Sequence, residues 1–246
     1  MIKDQYIDRA ASYQYIREAP YTRYFEEPSV IHGLGKLECL DVLDLACGTG
    51  HYTRIIKAAG ARRVVGVDLS SSMLLAAKAE ESKNELGIEY LEADARFLSL
   101  DEHFDIVTAF YLLNYAETPS DLDAMIHTLA RHVRIGGRVV TIVPNPEFRP
   151  DQHDTETYGF KIEGLENMDD GQRVRMTFLG DTPLELQFMQ WGHTIIEGLF
   201  RRQGLTQLNW TPFEVTPEGL STLGSSFWYS ALNNPKSLLL TAVREG

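Results

Sequence analysis

The chain has 246 residues and a formal net charge of −12, and 43% of its residues are hydrophobic and 24% charged. This composition is ordinary for a globular protein, and the length suits one large α/β domain, or a core with an insertion, that needs no disulfide or metal to complete its core. The negative charge repels phosphate groups, which argues against nucleic acid and anionic membranes as partners.

Apolar runs rich in Val, Ile and Leu alternate with amphipathic segments up to residue 143. The predicted strands are residues 41–45, 63–68, 88–92, 104–110 and 138–143. The predicted helices between them are residues 51–59, 71–84 and 120–132. This alternation indicates parallel strands joined by right-handed helical crossovers, with helices on both faces of the sheet.

The character of the sequence changes after residue 143. A polar, proline-rich loop over residues 144–160 precedes two alternating segments, 173–179 and 184–190, that predict antiparallel strands. A helix over residues 193–204 and a last strand over residues 237–243 follow. We therefore expect a Rossmann-like core with a helical N-terminal lead-in and a small insertion after the fifth strand.

The stretch VLDLACGTGHY, residues 42–52, joins the first strand to the first helix through Gly48 and Gly50. Glycines permit a tight turn and close approach of a ligand, and the helix N-terminus adds unpaired N–H groups. A dinucleotide fingerprint would place a third glycine at position 53, where this chain has Thr53, and the Lys-Ser/Thr pair of a phosphate loop is also absent. The loop therefore favours a nucleotide-like ligand without pyrophosphate over a glycine turn that holds no ligand.

Acidic residues end or follow the next two strands. Asp68 ends the second strand, where a carboxylate can accept hydrogen bonds from both ribose hydroxyls. Asp94 follows the third strand, where its carboxylate can accept from an adenine amino group while the N–H of Ala95 donates to the ring. Either acid could instead cap a helix, although Ser70 or Ser71 can supply the cap beside Asp68.

Four motifs in order, DxxCGTG at 44–50, VDLS at 67–70, EADA at 92–95 and FD-apolar-NYA from 104, resemble those of the class I S-adenosylmethionine-dependent methyltransferases. The likeness covers residues 41–143, and Ala46 replaces the first glycine of the usual pattern. It implies an α/β, Rossmann-like three-layer sandwich with a seven-stranded, mostly parallel sheet and an antiparallel C-terminal strand. It also implies S-adenosyl-L-methionine as the cofactor and S-adenosyl-L-homocysteine as the product. The residues implied to bind them are Asp44, Ala46, Gly48, Gly50, Asp68, Leu69, Met73, Asp94, Ala95, Ala109 and Phe110.

Segments outside the core are rich in aromatic residues, which suit stacking on a flat ring. The phrases TYGFKI and GSSFWYSALNNP are similar to small-molecule methyltransferases of natural-product pathways, nearest to the toxoflavin-pathway N-methyltransferases. This likeness implies a small, aromatic or heteroaromatic acceptor, with methylation of nitrogen favoured over oxygen or carbon. The candidate acceptor residues are Tyr13, Tyr111, Asn114, Tyr115, Tyr158, Phe227 and Trp228. Core packing is the alternative for each aromatic residue, and a helix cap is the alternative for Asn114. No catalytic residue is assigned, and no metal site is expected.

The expected organisation is a helical N-terminal lid over residues 1–36 and a methyltransferase core over residues 37–246, with an insertion over 144–191 on the substrate side. Cys39 and Cys47 are interpreted as free thiols of a reducing compartment, and the N-terminal sequence has no apolar signal region. A cytoplasmic monomer or homodimer is therefore expected. Two alternatives stay open: a nicotinamide-dependent oxidoreductase, which Thr53 argues against, and a protein that binds the cofactor without turnover.

Overall fold

The computed structural model describes residues 18–152, 154–180 and 183–246. The strands in these ranges are β1 (Asp41–Leu45), β2 (Arg63–Asp68), β3 (Glu89–Glu92), β4 (Phe104–Phe110), β5 (Val133–Pro144), β6 (Phe160–Met168), β7 (Gly171–Phe178), β8 (Leu184–Trp191), β9 (Leu205–Pro212) and β10 (Ser237–Arg244). Seven of them form one sheet in the order β3-β2-β1-β4-β5-β10-β9, and β6, β7 and β8 form a separate antiparallel sheet. The three-stranded sheet is called the small sheet below.

Strands β1 to β5 run parallel to one another, whereas β10 is antiparallel to both β5 and β9. Four of the five residues of β1 and six of the seven residues of β4 are buried, because helices cover both faces of the sheet. The predicted α/β fold, with a mostly parallel seven-stranded sheet and an antiparallel C-terminal strand, is confirmed.

Six α-helices occur in the described ranges: α1 (Glu27–Leu34), α2 (His51–Ala58), α3 (Ser71–Lys83), α4 (Pro119–His132), α5 (His193–Arg202) and α6 (Pro217–Asn233). A π-helical turn, Thr22–Glu26, leads into α1. Helices α4 and α5 bury their apolar faces on one side of the large sheet, and α1, α2 and α6 bury theirs on the other. None of the described helices combines the length and apolar character that crossing a bilayer requires.

Capping chemistry sets where two of these helices begin. The hydroxyl of Thr118 accepts a hydrogen bond from the N–H of Asp121 at 3.1 Å, and Pro119 opens α4. The hydroxyl of Thr216 accepts from the N–H of Gly219 at 3.1 Å, and Pro217 opens α6 in the same way. Proline suits the first helical turn because its missing N–H would have no partner there.

The structure contains three elements that the sequence pattern did not predict: β6, β9 and α6. Strand β6 exposes most of its residues and β9 only partly buries alternate ones, so neither carries the apolar run of a central strand. Helix α6 contains weak helix formers and a kink at Gly224, whose φ of 78° lies in the left-handed region. Strand β5 also begins at Val133, five residues before the predicted start. Strand β9 and helix α6 are stabilised by partners that are distant in sequence, whereas β6 forms a hairpin with β7.

Candidate functional site

A cavity of about 730 Å³ lies at the carboxyl ends of β1, β2 and β4 and extends to the small sheet. Because β10 is antiparallel, its first residue, Ser237, pairs with Pro144 at the carboxyl end of β5, so β10 contributes to the same edge. One half of the cavity is walled by the loops that follow β1, β2 and β3, and the other half by the small sheet and residues 18–26. Open α/β sheets bind ligands at this edge.

The glycine loop after β1 uses its two glycines differently. Gly48 lines the cavity with φ of 56°, and a Cβ there would meet no atom within 4 Å. Gly50 does not line the cavity; a Cβ there would overlap the Tyr90 hydroxyl and lie 3.3 Å from Ala77. Gly50 therefore makes room for β3 and α3, whereas Gly48 leaves space for a ligand, and cofactor contact by Gly50 stays a prediction.

Asp68 ties the end of β2 to the glycine loop. Its Oδ2 accepts a hydrogen bond from the N–H of Gly48 at 2.7 Å, and its Oδ1 accepts from the N–H of Ser70 at 2.8 Å. The side chain of Ser70 caps α3 by accepting from the N–H of Met73 at 3.5 Å. Asp68 is thus not the helix cap, and its half-buried carboxylate lines the cavity.

Asp94 lines the cavity, but its carboxylate is engaged. Arg96 donates to it through Nη2 at 2.6 Å and through its own backbone N–H at 2.9 Å, and Arg96 also reaches Asp121 at 2.8 Å. Partial burial raises the pKa of Asp94, but the bonds and charge of Arg96 lower it more, to below its usual value. An adenine amino group would share this carboxylate with Arg96.

Asp44, at the carboxyl end of β1, is the most buried carboxylate of the site, at 1% exposure. It accepts hydrogen bonds from the hydroxyls of Thr53 at 2.6 Å and Thr108 at 2.7 Å. Burial raises the pKa of Asp44 to about 6, opposed by the two hydroxyls and reinforced by the charge of Asp68. Thr53 occupies the position of the third glycine of a dinucleotide loop, so this sequence departure has a structural use that sequence reasoning missed.

The remaining predicted residues divide clearly. Those that line the cavity are Ala46, Leu69, Met73, Ala95, Phe110, Tyr111, Asn114, Tyr115 and Tyr158. Ala109, Phe227 and Trp228 do not line it, which corrects those three predictions, and Tyr13 lies outside the described residues. Trp228 is fully buried and stacks on Tyr158, whose hydroxyl donates to the carbonyl of Phe227 at 2.6 Å. Phe227 and Trp228 of α6 thus pack against Tyr158 on the side away from the cavity.

A buried polar cluster at the acceptor end of the cavity was missed by sequence reasoning. Glu26 accepts hydrogen bonds from the hydroxyls of Tyr52, at 2.9 Å, and Tyr111, and lies 3.7 Å from Lys236 Nζ. Lys236 Nζ donates to the Tyr111 hydroxyl at 3.0 Å and is 3.4 Å from the hydroxyl of Ser237. These five residues, the Glu26–Lys236 cluster, come from the π-helical turn, α2, the end of β4 and the start of β10. No local motif connects positions so far apart in sequence.

The loop half of the cavity suits S-adenosylmethionine on structural grounds. The hydroxyl of Thr49 is buried beside Gly48 and has no partner among the described residues, so a polar ligand group would satisfy it. The open space over Gly48 provides a cradle for a ligand. The Asp68 carboxylate can accept from hydroxyl groups, and the buried Asp44 carboxylate adds a negative charge. Among the described residues, no cluster of His, Cys, Asp and Glu is arranged to hold a metal ion.

Comparison with known proteins identifies the core. Residues 42–137 match a family described as a methyltransferase domain. The demethylmenaquinone methyltransferase of Lactococcus lactis subsp. lactis is 39% identical over 115 residues, which cover 44% of this chain and 44% of that protein. The chain thus spans less than half the length of the curated relatives that it matches.

Solved structures show the same fold over nearly the whole chain. A S-adenosylmethionine-dependent methyltransferase from Mesorhizobium loti aligns with a TM-score of 0.65 and 21% identity, covering 93% of this chain and 100% of that one. CalS10, an amino pentose methyltransferase from Micromonospora echinaspora solved with S-adenosylmethionine bound, aligns with a TM-score of 0.56 and 17% identity, covering 98% and 92%. The fold implied by the sequence motifs is thus that of these solved methyltransferases.

The variants Gly48→Ala and Gly50→Ala should distinguish a glycine that leaves space for a ligand from a glycine that the fold requires. Gly50→Ala should lower the free energy of unfolding by about 2–5 kcal/mol, because it combines a left-handed φ with overlap against Tyr90. Gly48→Ala should cost only about 1–2 kcal/mol in stability and yet weaken S-adenosylhomocysteine binding. Urea unfolding and calorimetry measure the two effects, and equal destabilisation by both variants would contradict the assignment.

Asp44→Asn should change how stability depends on pH. The folded pKa of Asp44, about 6, exceeds its unfolded value of 3.8, so its stabilising contribution is complete below pH 3.8 and is lost as pH rises through 6. The stability of Asp44→Asn relative to the parent should therefore increase by about 1.4 kcal/mol between pH 5 and pH 7.5. Parallel pH profiles of unfolding free energy for the two proteins would show that Asp44 is not perturbed.

Proposed function

We propose that this chain transfers a methyl group from S-adenosylmethionine to a small aromatic or heteroaromatic acceptor, with nitrogen the favoured atom; the match of residues 42–137 to a methyltransferase-domain family supports the proposal. One observation carries the proposal: a single cavity joins the Gly48–Asp68 cradle to an apolar chamber under the small sheet. Its volume of about 730 Å³ suits a cofactor and a small acceptor together.

On the cofactor side, this proposal gives each residue a distinct task. Asp68 lines the cavity at the end of β2, where its carboxylate would accept from the ribose hydroxyls. Asp44 offers negative charge to the ammonium group of the cofactor's methionine part, and Thr49 offers its unpartnered hydroxyl. Ala95 lines the cavity, and its N–H would donate to the adenine ring.

On the acceptor side, apolar side chains of the small sheet would hold a flat ring. Alternate residues of its strands face the cavity, and they are Phe160, Ile162, Val174, Met176, Phe178, Leu186 and Phe188. Asn114 is 3% exposed and its Oδ1 has no partner among the described residues. An acceptor N–H would satisfy that oxygen, which supports a nitrogen heteroaromatic.

Orientation is the main contribution that the chain's own residues would make to the reaction. Bound S-adenosylmethionine supplies a sulfonium methyl group that an aligned nucleophile displaces. Positioning of the acceptor is worth on the order of 7–11 kcal/mol for well-held reactants, and the apolar wall excludes competing water. Burial and the charge of Glu26 raise the pKa of Tyr111 well above its usual value, so its phenol stays protonated and does not serve as a base.

Alternatives remain within this proposal. Methylation of oxygen or carbon on another small molecule is one, and cofactor binding without turnover is another. The named relatives act on a demethylmenaquinone and an amino pentose. These two acceptors differ too much to indicate which atom of its acceptor this chain methylates. The likeness to toxoflavin-pathway N-methyltransferases supports the nitrogen heteroaromatic, and a cytoplasmic monomer or homodimer is the proposed state.

Ligand-dependent stability tests the cofactor directly. S-adenosylhomocysteine at 100 times its dissociation constant should stabilise the protein by about 2.7 kcal/mol, whereas NADH should have no effect. Asp68→Ala should weaken S-adenosylhomocysteine by about 10- to 150-fold, since it removes charge-assisted bonds and loosens the Gly48 loop. Glu92→Ala, an exposed neighbour at the end of β3, is the control. Stabilisation by NADH instead would favour the oxidoreductase alternative.

The N-terminal lid is proposed to close the acceptor end, supported by residues 18–22 lining the cavity. A deletion through Tyr24 would also remove Tyr21, which is buried in the core, so truncation before Glu18 is the sharper test. That truncation should leave S-adenosylhomocysteine affinity within about tenfold while turnover falls by orders of magnitude. Turnover is measured as conversion of labelled cofactor. If the truncation leaves turnover unchanged, residues 1–17 do not act as part of the lid.

A further inference from the structure

Lys236 is the one lysine or arginine among the described residues that line the cavity. Its side chain is 8% exposed, and its ammonium lies 4.8 Å from the ring centre of Tyr21, 5.1 Å from that of Tyr111 and 5.5 Å from that of Phe160. An ammonium is stabilised by aromatic faces at such distances. The cation is therefore fixed in a box of rings at the junction of π-helical turn, large sheet and small sheet.

The hydrogen-bonding capacity of this ammonium is not filled. It has three N–H donors, but only the bond to the Tyr111 hydroxyl, at 3.0 Å, has normal length; the Ser237 hydroxyl is at 3.4 Å and Glu26 at 3.7 Å. Glu26, in contrast, already accepts from two phenol hydroxyls, one on each oxygen. The Lys236 ammonium thus has N–H donors that a ligand oxygen can use.

Tyr21 adds a second unfilled donor beside the first. It is 3% exposed, it lines the cavity, and its hydroxyl has no hydrogen-bond partner among the described residues. Burial raises the pKa of Tyr21 well above its usual value, so the hydroxyl keeps its proton and remains a donor. A buried donor without a partner lowers the stability of the folded protein unless a ligand oxygen accepts its hydrogen bond.

We propose that Lys236 and Tyr21 form an oxygen-recognition site, and that the acceptor is a flat, largely apolar ring system carrying an anionic or strongly hydrogen-bond-accepting oxygen. This inference rests on the proposed function. The oxygen pairs with the ammonium and the phenol, the ring lies along the apolar face of the small sheet, and Asn114 Oδ1 accepts from a ring N–H where one is present. Cationic acceptors are disfavoured because the same ammonium repels them.

Two probes of matched shape and opposite charge test this: 2-naphthoate and 2-naphthylmethylammonium, each titrated by calorimetry into protein saturated with S-adenosylhomocysteine. We expect 2-naphthoate to bind at least about tenfold more tightly than the ammonium probe. Equal binding of the two probes, tighter binding of the ammonium, or no binding of 2-naphthoate would overturn the proposal. Failure of S-adenosylhomocysteine itself to bind would instead contradict the proposed function.

Tyr21→Phe is the cleanest variant, because it removes a hydroxyl that has no partner to lose among the described residues. It should leave S-adenosylhomocysteine affinity unchanged, should not lower thermal stability because an unpaired buried donor is removed, and should weaken 2-naphthoate by about 3- to 10-fold. Unchanged 2-naphthoate affinity in this variant would remove Tyr21 from the site.

Lys236→Met should weaken 2-naphthoate by about 10- to 150-fold and abolish the preference over the ammonium probe. Because it leaves Glu26 buried without its counter-charge, Glu26→Gln combined with Lys236→Met is the second variant, and it should show the same loss of preference. Lys161→Met is the matched control, since Lys161 lies on β6 with its side chain 50% exposed and outside the cavity wall. A preference that survives in the double variant would overturn the role of Lys236.

Discussion

The hydrogen bond from the N–H of Gly48 to the Asp68 carboxylate, at 2.7 Å, organises the carboxyl edge of the sheet. It ties the loop after β1 to the end of β2, and the second oxygen of Asp68 ties the same point to the start of α3. Gly48 takes a left-handed conformation that leaves open space over its backbone. The cradle on which the rest of the cavity is built therefore depends on one carboxylate bridging two loops.

The small sheet converts this edge from an open crevice into an enclosed chamber. Its strands alternate, so that one face presents apolar side chains to the cavity. The other face is largely exposed, except that Met189 and Trp191 of β8 pack into the core of the large sheet. Trp228 and Phe227 of α6 do not touch the cavity but fix Tyr158, which does. The parallel core thus supplies the proposed cofactor half of the site, and later segments of the chain supply the proposed acceptor half.

The Glu26–Lys236 cluster is an expensive arrangement for a folded chain. Taking a carboxylate and an ammonium out of water costs several kcal/mol for each ion, and their attraction often only offsets that cost. Here the two phenol bonds to Glu26 and the aromatic box around Lys236 reduce the cost, while burial still lowers the pKa of Lys236. The π-helical turn that carries Glu26 is a feature often found at functional sites, and a polar cluster kept in an apolar chamber fits a role in ligand recognition.

The sequence by itself determined the parallel core and the cofactor edge. Continuous apolar strands separated by amphipathic helices leave few topologies, and the loop glycines and following acids lie close to their strands, so that local pattern predicts where Gly48, Asp68 and Asp94 lie. Tertiary structure alone decided which side chains those residues engage: Asp94 pairs with Arg96, Asp44 with Thr53 and Thr108, and Gly50 with Tyr90.

Tertiary structure alone also decided the acceptor end. Glu26 and Lys236 are 210 positions apart, and only the packing of α1 against β10 brings them within 3.7 Å. Strands β6 and β9 have one exposed or half-exposed face and no apolar run, so their pairing partners rather than their own residues specify them. The local sequence pattern predicts strands that are buried on both faces. A site that is assembled from distant segments depends on long-range contacts, which the spacing of residues in the sequence does not reveal.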